Sequence, residues 1–153
     1  MKKLLFSAVS LDIGGIENAL VNLLNYLART DKYEITLFLE KKEGIFLDKI
    51  DKKIQICVYC PNDSKVIILR KGINFIKQTI FKLKYKHKYD FSCAYATYSK
   101  PASFVARTAS KNSCLWVHSE YMQMFDNNKS KYVEFFEGVK AKDFKNIVFV
   151  SEN

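Results

Sequence analysis

Short, nearly unbroken apolar runs alternate along this chain with longer stretches whose apolar residues recur at helical spacing. The first run, Leu4-Leu5-Phe6-Ser7-Ala8-Val9, predicts a strand and breaks at Ser10-Leu11-Asp12-Ile13-Gly14-Gly15. Beyond the break, Ile16, Leu20, Leu23, Leu24 and Leu27 stand at i, i+4, i+7, i+8 and i+11, with Asn18, Asn22 and Asn25 elsewhere on the wheel. That spacing predicts an amphipathic helix packed on a sheet. The β-branched and aromatic run Tyr33 to Glu40 predicts the second strand, which completes a βαβ unit.

Lys41 to Lys53 is a charged connection with a short helix around Ile45 to Ile50, and Ile54 to Tyr59 alternates as a third strand, ended by Pro61-Asn62-Asp63-Ser64. The next segment places Val66, Leu69, Ile73, Ile76, Ile80 and Leu83 on one helical face, interrupted by Gly72. This face is expected to pack on the sheet and leave lysines in solvent; Phe75 and Phe81 flank it beside Lys71, Lys77, Lys82 and Lys86. Phe91 to Ala96 predicts the fourth strand, followed by the turn Thr97-Tyr98-Ser99-Lys100 and a helix opened by Pro101, a favoured first-turn residue. Ser113 to Val117 predicts a fifth strand that delivers His118-Ser119-Glu120 at its end. Tyr132 to Phe144 is expected to be helical, and Asn146 to Val150 supplies a sixth strand, with Ser151-Glu152-Asn153 just beyond it.

Apolar strands separated by helical crossovers predict an α/β fold: a single Rossmann-like domain over residues 1–153, with a doubly wound parallel sheet flanked by helices. Such sheets bind ligands outside the carboxyl ends of their strands. That crest is expected to gather Asp12, Gly14, Gly15, Tyr98, Lys100, His118 and Glu120.

At 153 residues and 48% hydrophobic, the chain has enough apolar surface to fill one core. Its net charge of +9 points to an anionic partner: nucleic acid, an acidic membrane surface or a phosphorylated substrate. Three of the 25 basic residues are Arg (Arg29, Arg70, Arg107), which argues against specific nucleic-acid recognition, since bidentate reading of bases favours Arg. The opening Met1-Lys2-Lys3 and its apolar run are too short for a signal peptide and lack a cleavage site, and no stretch approaches the ~20 apolar residues of a membrane span. A cytoplasmic protein is expected. Cys57-Val58-Tyr59-Cys60 is formally a CxxC, but no second pair or nearby His completes a zinc set, and it does not open a helix. All four cysteines, with Cys93 and Cys114, are expected to be buried free thiols.

Gly14-Gly15 before a helix frees the turn of side chains and aims the helix's first N–H groups into the opening, where they attract anions. No third glycine follows, so this is neither the dinucleotide fingerprint nor a phosphate-binding P-loop. A ligand cradle and a plain tight turn both stay open on these residues. The same holds for His118, which is either a ligand contact or a satisfied structural residue, and for Glu17, which favours a helix N-terminus whatever its role. For Arg70 to Lys88, a solvated lysine face competes with a surface resting on an anionic membrane.

The combination of Gly14-Gly15-Ile16-Glu17 opening the first helix, Trp116-Val117-His118 closing the fifth strand and Val148-Phe149-Val150-Ser151 at the last one resembles the N-terminal half of a family 4 (group 1) retaining glycosyltransferase of GT-B type. The resemblance implies a full enzyme that transfers a sugar from a nucleotide-sugar donor, with retention, to a glycan or lipid-linked acceptor in cell-surface polysaccharide or glycoconjugate synthesis. It implies donor contacts from Gly14, Gly15 and Glu17, and His118 against the transferred sugar. The acceptor candidates are Asp12, Tyr98, Lys100, Glu120 and Tyr121. Neither a metal nor a resident cofactor is implied; the departing diphosphate is stabilised by positive groups and helix N-termini. Members commonly carry a basic residue after the loop Glu, where this chain has Asn18. The donor-binding C-terminal domain with its Glu-x7-Glu signature is absent from these residues, so residues 1–153 alone are expected not to transfer sugar, and a peripheral position on the inner face of the membrane is implied. The competing expectation is a freestanding, non-catalytic Rossmann-like module for a phosphorylated or anionic ligand.

Overall fold

The computed structural model describes residues 1–150 of the chain. Ser151, Glu152 and Asn153, including the serine that ends the last of the three resembling stretches, lie outside the described residues.

Six strands, β1 (Lys2–Ala8), β2 (Tyr33–Leu39), β3 (Gln55–Val58), β4 (Phe91–Ala94), β5 (Ser113–Val117) and β6 (Asn146–Phe149), form one sheet in the order β3-β2-β1-β4-β5-β6. Every neighbouring pair is parallel. The helices are α1 (Gly15–Arg29), α2 (Ile67–Tyr85), α3 (Lys100–Ala109), the single turn α4 (Tyr121–Met124) and α5 (Lys129–Gly138). The α/β, Rossmann-like doubly wound sheet is thus as the alternation of runs predicts. Its chain winds outward from β1 to β3, then returns to the other side of β1, so the switch point lies between β1 and β4.

Strand alternation sends Leu4, Phe6, Ala8, Ile35, Leu37 and Leu39 into one core with Leu20, Leu24 and Ala28 of α1. Leu5 and Phe38 point the other way, against Phe81 of α2 and Val105 and Ala109 of α3. With both faces covered, the central strands need apolar residues at every position, which is why they read as unbroken runs. Their serines have a reason too. Ser7 Oγ donates to the Ala102 carbonyl at 2.7 Å and Ser92 Oγ to the Ala106 carbonyl at 2.6 Å, so small, satisfied side chains let α3 lie close on β1 and β4.

Several expectations change. In α2 only Phe81 is buried, and the face predicted to pack on the sheet is exposed instead: Ile76 and Ile80 are each 58% accessible and Leu83 78%. The aromatic cluster of Phe38, Tyr59, Phe81, Tyr85 and Phe104 turns the helix its own way, because large rings in edge contact bury more area than the aliphatic row offers. Helix α5 starts earlier than expected, capped by the Asn128 side chain accepting from Lys131 N–H at 3.1 Å, and ends at Gly138. Lys140 then adopts a left-handed conformation (φ 54°), and Ala141–Asp143 forms a separate 3₁₀ turn. All four cysteines are free thiols, but only Cys93 and Cys114 are buried; Cys57 is half-buried on the edge strand and Cys60, beyond the end of β3 at Val58, is exposed. Among the described residues no helix is long and apolar enough to cross a membrane.

Candidate functional site

The segment after β1 is fixed from beneath before it reaches the glycine pair. Leu11 N–H donates to the Glu43 carbonyl at 2.9 Å, Phe46 N–H donates to the Leu11 carbonyl at 3.1 Å, and the Leu11 side chain is fully buried. Gly44 makes this clamp possible: at φ +120° it lies so close that a Cβ would sit 2.0 Å from the Leu11 carbonyl carbon. Asp12 stays exposed at the rim, its carboxylate accepting from Ser10 Oγ at 2.6 Å.

Gly14 caps α1 without any side-chain hydrogen bond to the first N–H groups. Glu17 folds back toward that turn. Its Oε2 lies 2.0 Å from where a Cβ on Gly14 would stand, so the carboxylate folds directly over the helix N-terminus, where the helix dipole favours negative charge. Gly15 faces open space, with no atom within 4 Å of a Cβ placed there.

His118 leaves β5 on the α1 side of the sheet, as Trp116 does two residues earlier. The two rings stack at 6.0 Å with an interplanar angle of 7°, and Tyr95 packs against His118 at 4.4 Å. Desolvation among these rings holds His118 below its ordinary 6.5, opposed by a backbone hydrogen bond to Tyr95 and by the nearby Glu17 carboxylate. The imidazole is therefore neutral at pH 7. Its Nε2 is buried and has no protein partner, as is Trp116 Nε1.

Tyr98 belongs to the same electrostatic neighbourhood. Burial raises its phenol, and the carboxylates of Glu17 and Glu40 add to the rise, as does Tyr121. Glu40, just past β2, accepts from the buried Ser99 hydroxyl, which also caps α3 by accepting from Ala102 N–H at 2.9 Å. The crest thus gathers Gly14, Gly15, Glu17, Tyr98 and His118 around the switch point. Lys100 points elsewhere: its Cε lies 3.1 Å from a Cβ placed on Gly138, and with Tyr98, Phe125, Lys131 and Glu134 it lines a separate cavity of about 310 Å³ against α5. Tyr121 is a core residue, buried against Phe125, Phe135 and Phe136. Half-buried Glu120 accepts from Gln123 Nε2 at 3.3 Å. Glu40 and Tyr95 were not among the expected site residues. Glu40 could have been found by extending the strand-end rule to β2; Tyr95 follows β4, where its ring is buried under His118.

The neutral histidine has a consequence for stability. Because folding lowers its pKa, the unfolded chain binds more protons once the pH drops below about 6.5. The stabilisation is present above that pH and declines as the pH falls through the folded value. The urea midpoint should decrease from about pH 7 to 5, and His118→Gln should flatten this slope. An unchanged slope in the variant would assign the titration to another group.

Among the described residues no three His, Cys, Asp or Glu side chains group as a metal would require. No protein-family model matches the chain, and no curated protein matches it.

Proposed function

We propose that this domain is the acceptor side of a retaining glycosyltransferase of GT-B type and holds a hydroxyl-rich sugar at the β1/β4 switch point. The observation that carries this reading is the Glu17 carboxylate lying on the α1 N-terminus beside neutral, half-buried His118. An open helix N-terminus attracts phosphate, but here a carboxylate lies beside that electropositive end and would repel it. With Glu40 close by, the crest opposes an anionic ligand even though the protein carries a net charge of +9. Carboxylates, a neutral imidazole and the half-exposed ring of Tyr98 suit a sugar instead, accepting from its hydroxyls and packing against its C–H faces.

The same chemistry argues that the donor's diphosphate is held elsewhere. On this reading it rests on a second α/β domain that faces the crest, whose cationic groups and helix N-termini balance the charge left on the departing diphosphate. The edge strand β6, with all four residues exposed and Ile147, Val148 and Phe149 among them, offers an apolar surface for such a neighbour.

The test is an assay of the domain joined to its donor domain, with a panel of nucleotide sugars and glycan or lipid-linked acceptors. Release of nucleoside diphosphate should require an acceptor, and the product should keep the donor's anomeric configuration. Absence of transfer together with tight binding of inorganic phosphate or pyrophosphate at Gly14-Gly15 would favour the non-catalytic anion-binding module.

A further inference from the structure

Helix α2 and the residues that flank it carry most of the chain's net charge together with a large apolar display. Between Ser64 and Tyr89 there are eight basic residues and no acidic one, so eight of the nine net positive charges sit in this segment. The helix touches the domain through Phe81, Tyr85 and the polar contacts of Asn74 and Lys77. That fixes which way the rest faces. Opposite them, Ile68 (86% accessible), Phe75 (72%), Leu83 (78%), Ile76, Leu69 and Ile80 form an arc of about 140° along the helix. Lys71 and Lys82 border the arc on one side, and Arg70, Lys77 and Lys84 on the other.

We infer that this outward face of α2 docks on an anionic lipid bilayer, with its axis parallel to the membrane plane. The apolar arc runs the length of a 19-residue helix, and the basic stems on both flanks can reach up to phosphates while their methylenes stay in the interface. A second copy of the chain would bring the same positive charges against this face, and a polyanion such as RNA would leave the aliphatic row unburied. Beside the helix, a cavity of about 600 Å³ opens between α2 and the edge strand β3, lined by Val58, Tyr59, Ile80 and Phe81 with Lys77 and Lys84 among its walls. It continues the apolar surface and has room for part of an acyl chain under a basic rim. Because α2 follows β3, its N-terminus lies toward the crest and its axis runs with the strands. Docked this way, the switch-point crevice opens along the bilayer surface, where a lipid-linked acceptor would present its headgroup. The docking itself stands apart from the glycosyltransferase reading.

Vesicle co-sedimentation tests it. The full chain should pellet with phosphatidylcholine vesicles containing about one third phosphatidylglycerol and bind pure phosphatidylcholine at least about tenfold more weakly. Binding should weaken by a similar factor at about 0.5 M NaCl, where charges are screened beyond about 4 Å. Ile68→Ser, Phe75→Ser and Leu83→Ser combined should abolish pelleting while the circular dichroism spectrum stays unchanged, since all three side chains are exposed. Lys71→Gln with Lys82→Gln should weaken binding and leave the apolar row intact. The inference is overturned if the serine variant binds as well as the parent, if neither vesicle type is bound, or if light scattering shows a dimer of the parent that the serine variant dissociates without any vesicle binding.

Discussion

Gly44→Ala should destabilise the fold by about 3–5 kcal/mol, the largest effect expected of any single methyl group added to this chain. Two costs act together. Gly44 sits at φ +120°, a region that residues with a Cβ avoid, and occupying it costs about 1–3 kcal/mol. The added carbon would also stand 2.0 Å from the Leu11 carbonyl carbon and 2.4 Å from Asp12 N, which are backbone atoms held by two hydrogen bonds and a buried leucine. They cannot move without opening the clamp beneath the glycine turn. Gly72→Ala is the matched control. It lies in the exposed middle of α2 with open space around it, so the same change there should be neutral or stabilise by about 0.5–1 kcal/mol. Urea denaturation of both variants checks the pair; equal midpoints would mean that the β1–α1 segment is not clamped as described.

That contrast also marks how far the sequence carries. Gly14-Gly15 announces itself because two glycines precede a helical period, and the strand–turn–helix it predicts is present. Gly44 gives no such signal: its partner, Leu11, is remote in sequence and the requirement exists only once β1 and β2 pair. The order of elements was legible since two-sided burial writes itself as apolar runs, and β5 falls at Ser113–Val117 as its residues suggest. The rotation of α2 was not, because periodicity counts apolar positions without weighing them, and five rings in mutual contact decided which stripe turned inward. The crest shows the same limit. Strand ends place Asp12, Tyr98 and His118 near the opening, but which side chains meet depends on where each points: Lys100 turns to α5, Tyr121 into the core, and Glu17 back over its own helix. That last contact is what the proposal of a hydroxyl-bearing ligand, in place of a phosphate, rests on.

If the glycosyltransferase reading holds, His118→Ala should lower sugar transfer by about 100-fold once the domain is joined to a donor domain, with the loss mainly in kcat. The backbone hydrogen bond to Tyr95 uses one ring nitrogen and fixes the neutral tautomer, which leaves Nε2 as a buried acceptor with no protein partner. An unpartnered acceptor among Tyr95 and Trp116 is costly to the folded domain, and on the glycosyltransferase reading a small shift of the ring that uncovers it would let a sugar hydroxyl donate to it. The bond strengthens as the sugar ring gains positive character and its hydroxyls become better donors, so its loss should fall more on turnover than on ground-state binding. Because the ring also packs, the variant's stability has to be followed alongside: a urea midpoint near the parent's with a 100-fold loss of turnover assigns the nitrogen to the reaction, while full turnover in a folded variant leaves it a packing residue. A companion variant, His118→Asn, shortens the side chain but keeps an acceptor oxygen, and it should recover part of the rate only if the acceptor, rather than the ring's volume, is what the reaction uses.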